Sequence, residues 1–247
     1  MKNSAPEMEK DIKISTAQLP GKLSAYIFRD AAHLSEDEPV YAINWFNTKS
    51  SLIYDFYNKL AVGCVRKIGG AGFFKGRHIK TLYGGERDKR DVLLVVRYPA
   101  LTNFLTMLES KVFQSVSLVR MAAVKNFTFG FTKRADKGAD LSPMSANDAD
   151  TFYGVFHYLG AGEIDETLAA LSLEPTVEIF YSGNIRAHIK TGESPAEAAQ
   201  VPCVMEGVAI FKSADVQALE GLAEQEAFAS LAAQAETLFF GLYSRIL

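Results

Sequence analysis

The chain has 247 residues, of which 48% are hydrophobic and 22% are charged, and this composition excludes a disordered, collagenous or disulfide-stapled protein. Its formal net charge of −3 excludes the whole-chain basic field that would hold nucleic acid or an anionic membrane. We therefore expect a globular protein with a substantial core, whose partner is a small molecule or another protein rather than nucleic acid or a membrane.

Cysteine usage and the N-terminal sequence bear on the compartment. Cys64 and Cys203 each lie in an apolar stretch, which favours buried thiols used as small hydrophobic side chains. The first 21 residues carry charges throughout, without the apolar core of a signal peptide, and no run approaches the roughly 18 apolar residues that cross a bilayer. The sequence thus predicts a cytoplasmic protein.

Two breaks in composition divide the chain into four predicted parts. Residues 1–35 form an N-terminal arm that is polar at its start and that we leave without assigned elements. Residues 135–147 contain Gly, Pro, Ser and Asp but no aromatic residue, which is typical of a linker. The two predicted domains are therefore 36–134 and 148–247.

The first domain opens with a strand at 41–47 and a helix that Ser50 can cap. Apolar pairs recur every four positions along this helix and give it one broad apolar face. A hairpin with strands at 71–84 and 92–98 follows, then a helix after Pro99. A helical piece over about 111–124 and a strand at 127–132 complete the domain. The patterns assign these residues to its core: Phe56, Leu60, Val95, Phe104, Leu105 and Phe127.

The second domain repeats this order, so that both read βαββαβ, the order of a ferredoxin-like unit. FTFGFTKR at 127–134 also aligns with LFFGLYSR at 238–245 residue by residue. We therefore predict an α+β fold of two tandem ferredoxin-like domains that arose by duplication. The elements of the second domain are a strand at 151–159, a short helix around 164–171, strands at 177–192 and 204–212, a helix beginning at Ser213, and a strand at 238–246.

The strands carry apolar residues on both faces, which indicates two sheets stacked face to face. The segment VVRYPALTNFLTMLES (95–110), followed by FQSVSLVRMAAVKNFTF (113–129) with Arg120 in the helical piece, resembles a small family of unknown function in the dimeric α/β-barrel superfamily. The second half resembles it more weakly, because FKSADVQALEGL (211–222) keeps the strand-to-helix pattern but lacks Arg-Tyr-Pro. The resemblance implies a dimeric-α/β-barrel-type arrangement of the two domains, in a monomer or a homodimer.

Superfamily relatives include cofactor-free monooxygenases, muconolactone isomerase, polyketide cyclases and the haem-binding chlorite dismutases, and the fold does not select among them. No Cys/His spacing in the chain fits zinc. The glycine cluster at 69–76 follows a helix and lacks the Gly-Lys-Ser/Thr ending of a phosphate loop. The charged segments at 75–80 and 86–90 mix both signs, which indicates a solvated hairpin. We predict no metal and no cofactor.

Histidines in the second domain are the candidate catalytic residues. His157 ends an aromatic strand, and His188 lies in the next strand region near Arg186. If both face one cavity with Tyr153, the group suits proton transfer on an enolisable substrate, because a neutral imidazole exchanges protons near physiological pH. The alternative is that these are hydrogen-bonded or surface histidines of a strand.

The first domain offers candidate ligand-binding residues. Arg97 and Tyr98 end an otherwise apolar strand, where Arg97 either binds a carboxylate or phenolate or pairs with Asp91 or Glu109. Trp45 adds to an aromatic lining, and Arg186 is the fourth candidate for ligand binding. The lining with few polar groups predicts a small apolar or aromatic ligand. We expect a cofactor-free isomerase, cyclase or monooxygenase acting on an aromatic or polyketide-like compound; the alternatives are a non-catalytic binding protein and a haem protein that uses His157 or His188.

Overall fold

A computed structural model gives the fold, and it describes residues 9–14, 24–30, 32–134, 150–201 and 205–246. The predicted linker at 135–147 and Cys203 lie outside the described residues. No helix in these ranges is both long enough and apolar enough to span a membrane.

The described residues form ten strands and seven helices. The strands are β1 (Glu9–Ile14), β2 (Ser24–Arg29), β3 (Val40–Thr48), β4 (Ala71–Tyr83), β5 (Val92–Tyr98), β6 (Val124–Arg134), β7 (Phe152–Leu159), β8 (Glu178–Gly192), β9 (Gly207–Ser213) and β10 (Thr237–Arg245). The helices are α1 (Ser51–Lys67), α2 (Leu101–Glu109), α3 (Lys111–Ala123), α4 (Ile164–Ala169), α5 (Pro195–Ala199), α6 (Val216–Leu222) and α7 (Glu226–Gln234).

Hydrogen bonds order the strands as β1-β2-β8-β6-β3-β5-β4-β10-β7-β9, and β9 also pairs with β8. This last pairing closes the eight strands from β8 to β9 into an antiparallel barrel, while β2 and β1 extend the sheet beyond β8. The prediction of an α+β barrel fold is therefore confirmed. The strands of the first half follow the order β6-β3-β5-β4, and those of the second half follow β10-β7-β9-β8.

The N-terminal arm is more ordered than its sequence predicts. Strand β2 pairs antiparallel with β8 from Ser24 opposite Gly192 to Arg29 opposite Ala187, and β1 pairs with β2. Because the arm gains its hydrogen bonds from a strand more than a hundred residues away, its local pattern could not reveal it.

The contacts divide the chain into two compact units. Unit 1 consists of Met1–Ala71, Val96–Lys133 and Arg186–Pro202, and unit 2 consists of Gly72–Val95, Arg134–Ile185 and Cys203–Leu247. Strands β5 and β8 each run from one unit into the other. The domain boundaries drawn from the sequence, 36–134 and 148–247, remain a prediction.

Helix α1 packs in unit 1 through a narrower face than its sequence indicates. Ser50 caps it as predicted, since its Oγ accepts the backbone N–H of Ile53. Tyr54 and Ala61 are the buried residues of the helix, whereas Phe56 and Leu60 are exposed. The prediction that Phe56 and Leu60 belong to the core was wrong, because apolar pairs every four residues make a face wider than the surface that covers it.

In unit 2 a hydrophobic core lies between the helices and one face of the strands. Helices α4, α6 and α7 pack on β7, β9 and β10 around Phe156, Phe211, Phe228 and Phe240. The helix predicted to begin at Ser213 is in fact two helices, α6 and α7. The Oδ1 of Asp215 accepts the backbone N–H groups at the start of α6, while the Oγ of Ser213 accepts the N–H of Asp215.

Candidate functional site

Unit 2 presents a face of aromatic and histidine side chains opposite its helices. Side chains alternate along a strand, so the neighbours of Phe156 and Phe240 point away from the helix-covered core. On this opposite face His157 pairs in register with Phe239, and Tyr153 pairs with Tyr243. We call it the aromatic face; its members are Tyr153 and His157 of β7, Phe239 and Tyr243 of β10, and Phe74 and His78 of β4.

His157 is the enclosed histidine of the aromatic face. The residue is only 4% exposed, and its ring stacks on Phe239 at a centroid distance of 5.6 Å and an interplanar angle of 25°. Burial lowers the pKa of His157 well below its usual value, and the nearby positive charge of Arg90 lowers it further. The imidazole is therefore neutral at physiological pH, so one of its ring nitrogens is a hydrogen-bond acceptor, although burial and the Arg90 charge make it a weaker base than a solvated histidine.

The loop between β4 and β5 carries Arg90, whose positive charge acts on His157. The Tyr243 hydroxyl donates a hydrogen bond of 2.9 Å to the Arg90 carbonyl oxygen, and the Arg90 Nη1 donates to the carbonyls of Arg87 and Lys89. Burial lowers the pKa of the Arg90 guanidinium, although neighbouring acidic groups oppose this effect. The sequence indicated a solvated hairpin here and so missed Arg90 and Tyr243, because only the pairing of β10 with β4 brings them together.

His78 is the half-exposed histidine of the aromatic face. Its ring meets Tyr243 edge-on at 5.4 Å, and its Nε2 lies 3.1 Å from the Thr81 hydroxyl. Partial burial lowers the pKa of His78, with the charge of Lys89 acting in the same direction. The half-exposed His78 and the enclosed His157 both lie within ring-contact distance of Phe239.

Gly241 leaves room for this packing. A Cβ built at Gly241 would lie 2.9 Å from the Phe239 Cε1 and 3.3 Å from the His78 Cδ2. We expect Gly241→Ala to lower the free energy of unfolding by about 1–2 kcal/mol, as overpacking of a close-packed site does. Denaturant unfolding measures this loss. The matched control is Gly221→Ala, where nothing lies within 4 Å of the added Cβ; equal stability of the two variants would contradict the prediction.

Tyr153 shares the aromatic face with His157 but not its immediate surroundings. The two are four residues apart on one strand, or about 13 Å along it. Tyr153 is buried and meets Phe74 edge-on at a centroid distance of 5.0 Å, with Phe180 on another side. Its predicted role in the same proton transfer remains a prediction.

In unit 1 the structure separates the predicted pair Arg97 and Tyr98. Neighbouring residues of a strand point to opposite faces, and Tyr98 packs on Phe104 of α2 at 5.1 Å. Arg97 therefore points away from α2, and its Nε is buried without a hydrogen-bond acceptor in the part of the chain that the structure describes. Trp45 is buried, and its neighbour Phe46 contacts Tyr54 of α1, so Trp45 also faces away from the helices.

His188 and Arg186 lie on the part of β8 that belongs to unit 1. His188 is buried opposite Phe28 of β2, and burial together with the charge of Lys190 lowers its pKa to about 4. The Arg186 Nη1 lies 3.8 Å from the Asp30 carboxylate, which also binds the Nδ1 of His33. Because His188 and His157 fall in different units, their predicted pairing in one site remains a prediction.

A second aromatic and cationic cluster, whose members the sequence named separately but did not bring together, lies beneath α1 in unit 1. The Arg120 guanidinium stacks over the Phe127 ring at 4.4 Å from its centroid. Burial raises the pKa of Tyr57 and Tyr98, and the charge of Arg120 opposes the shift at both. Arg120 thus packs between the helices and the sheet.

A surface groove of about 390 Å³ runs between α4 and α7 of unit 2. It contains none of the residues predicted from the sequence, and it lies on the helix side of the unit. The lining residues are Ala161, Glu166, Thr167, Ala170, Ala227, Ser230, Leu231 and Gln234.

Haem ligation needs an imidazole nitrogen that faces a slot wide enough for a porphyrin. The His157 ring is enclosed and lies flat against Phe239, and His188 is enclosed beside Phe28 and Lys190. These residues do not fit a haem. Within the described ranges, no three His, Cys, Asp or Glu side chains are placed to hold a metal ion.

Solved structures resemble this chain in fold. An anthrone oxidase-like protein is 14% identical, over 90% of this chain and 94% of that one, with a TM-score of 0.50. A putative monooxygenase from Fusobacterium nucleatum subsp. nucleatum is 11% identical over 86% and 94%, with a TM-score of 0.46. A mutant chlorite dismutase from Candidatus Nitrospira defluvii is 12% identical over 85% and 93%, with a TM-score of 0.45.

The likeness to the anthrone oxidase-like protein is one of fold alone, and at that level the dimeric α/β-barrel fold implied by the resemblance is confirmed. The chain matches no protein-family model, and no curated protein is significantly similar to it.

Proposed function

We propose that the protein handles a small aromatic, enolisable molecule at the aromatic face of unit 2, with His157 as the proton acceptor. The observation that carries this proposal is the neutral, enclosed imidazole of His157, stacked on Phe239 and lying within the electrostatic field of Arg90. A histidine whose pKa is lowered both by burial and by a specific neighbouring charge is a candidate for a functional site.

The chemistry follows from the charges. A neutral imidazole takes the proton from an acidic C–H or O–H of the substrate, and the electron pair left behind forms an enolate or phenolate. The Arg90 guanidinium stabilises that anion, and its effect is strong because the site is buried. This step is common to cofactor-free isomerases, cyclases and monooxygenases; the last of these also use dioxygen as the oxidant. The fold shared with an anthrone oxidase-like protein is compatible with this class but does not select it.

The second candidate is a non-catalytic protein that holds an apolar ligand. The observation in its favour is that the aromatic face consists mainly of large rings, with Phe239 stacked on the neutral His157 and Tyr243 edge-on to His78. Such a face would sequester an aromatic ligand without any reaction.

We also propose that the two halves of the chain are copies of one unit that arose by tandem duplication. The strand orders β6-β3-β5-β4 and β10-β7-β9-β8 support it, because each is the order expected when the fourth, first, third and second strands of a βαββαβ unit lie side by side. We place the two predicted domains, 36–134 and 148–247, as the two copies, in a cytoplasmic protein.

Hydrogen exchange of anthrone tests the function. Anthrone is aromatic and has acidic C–H hydrogens, whose exchange with heavy water is followed by NMR. The wild-type protein is expected to accelerate this exchange above the buffer background. His157→Gln keeps the size and polarity of the side chain but is a far weaker base, so it is expected to reduce the acceleration by about 10²-fold or more.

The control is His33→Gln, because His33 is exposed and lies in unit 1, and the exchange rate of this variant is expected to match the wild type. Binding of anthrone without accelerated exchange would favour the binding protein. Equal acceleration by the wild type and His157→Gln would overturn the role of His157.

A further inference from the structure

Helix α1 leaves a stripe of large apolar side chains uncovered on unit 1. We call it the α1 stripe; its members are Leu52, Ile53, Phe56 and Leu60, which are 79%, 38%, 56% and 39% exposed. Single exposed apolar residues are common on protein surfaces, but a contiguous set is typical of an interaction surface. The stripe is separate from the aromatic face of unit 2, so the inference below is independent of the proposed function.

The spacing of the stripe fits docking against another helix. Leu52, Phe56 and Leu60 recur every four residues and therefore lie above one another along two turns of α1. The side of α1 that carries Tyr54 and Ala61 already packs on its own unit. The helix thus has two apolar sides, of which the chain itself covers one.

We propose that the α1 stripe is the surface through which a second copy of this chain docks, with the two α1 helices antiparallel about a twofold axis. Such an interface must be complementary to itself. With the axis at Phe56, the two Phe56 rings meet, and Leu52 meets the partner's Leu60 at both ends. The stripe is therefore covered by its own copy along its length.

The charges beside the stripe favour the antiparallel arrangement. Asp55 and Lys59 are exposed on one flank of α1. An antiparallel pair sets this flank of one α1 beside the same flank of the other, so that Asp55 lies next to the partner's Lys59 at two places related by the axis. A parallel pair would set the flank beside the partner's opposite flank, which carries neither residue. The antiparallel pair also opposes the two helix dipoles favourably.

The same charges argue against a lipid surface as the occupant. A helix that binds an anionic membrane carries Lys and Arg on its polar flank, whereas this flank carries Asp55 beside Lys59. The formal net charge of the chain is −3, which adds no attraction for such a surface.

Sedimentation velocity of the full chain over a range of concentrations tests the proposal. The wild type is expected to dimerise, and Phe56→Glu is expected to raise the dissociation constant by about 100-fold or more, because it places two carboxylates at the centre of the interface. The matched control is Val112→Glu on α3, which changes an exposed apolar residue outside the stripe and is expected to leave association unchanged. Circular dichroism verifies that each variant is folded.

A charge exchange tests the antiparallel geometry. Asp55→Lys is expected to weaken the dimer, and adding Lys59→Asp to that variant is expected to restore it, because each new pair again has opposite signs. A wild type that stays monomeric would overturn the proposal, and pelleting of that monomer with anionic phospholipid vesicles would identify a lipid surface as the occupant instead. A dimer that Phe56→Glu leaves intact would also overturn the proposal.

Discussion

Replacing Phe104 with alanine is expected to lower the free energy of unfolding by about 3–5 kcal/mol. Phe104 lies on α2 and is buried among three rings of the sheet that it covers. Its ring centroid is 4.8 Å from Phe131, 5.1 Å from Tyr98 and 5.6 Å from Phe129. Truncation removes all three contacts, and the strands cannot move inward to fill the space because their backbones are fixed by the barrel hydrogen bonds.

Denaturant unfolding of Phe104→Ala measures this loss directly. The matched control is Leu118→Ala on α3, where the side chain is exposed and truncation is expected to change stability by less than about 0.5 kcal/mol. If Phe104→Ala were as stable as this control, the packing of α2 on the sheet would differ from the packing described above.

Much of the architecture follows from local patterns in the sequence. Alternation along β6 puts Phe127, Phe129 and Phe131 on one face. In the structure Phe129 stacks on Phe104 and Phe131 meets it edge-on, as that alternation requires. The order of strands and helices repeats between the halves, and repeated order is enough to predict an α+β barrel. These features depend on neighbours a few residues apart, which is the range over which periodicity is informative.

Features that depend on distant partners could not be predicted in this way. Strand β2 exists because β8 pairs with it, and Arg90 is partly enclosed because Tyr243 holds its loop. The side of α1 that becomes buried depends on what lies beneath the helix, since its apolar pairs leave two sides equally suitable. Phe56 was therefore assigned to the core although it is exposed.

The sequence pointed to His157 as a candidate residue but not to the side chains that surround it. His157 was selected because its neighbours in sequence are aromatic, and a strand with such neighbours is buried on both faces. Sequence neighbours do not reveal a cross-strand partner, so neither the stacking of His157 on Phe239 nor its nearness to Arg90 could be predicted. His188 was proposed from the position of its strand, and the structure shows that it is buried with the charge of Lys190 nearby.

Acid is expected to destabilise the fold through His188. In the unfolded chain this imidazole binds a proton below about pH 6.5, whereas in the folded protein burial and Lys190 lower its pKa to about 4. The unfolded state therefore binds more protons between these values, and the free energy of unfolding falls as the pH decreases through this window. At about pH 5 the loss from His188 is about 2 kcal/mol relative to neutral pH. His157, whose pKa is also lowered by burial, acts in the same direction.

Denaturant midpoints of the wild type and His188→Gln, each measured at about pH 7.5 and about pH 5, isolate this contribution. Glutamine keeps a polar side chain of similar size but does not titrate, so the variant is expected to lose about 2 kcal/mol less than the wild type over this interval. Lys190→Gln removes the neighbouring charge and is expected to reduce the acid sensitivity in the same direction, by a smaller amount, since burial is the larger cause of the shift. The same pH dependence in the wild type and His188→Gln would mean that His188 is solvated in the folded protein.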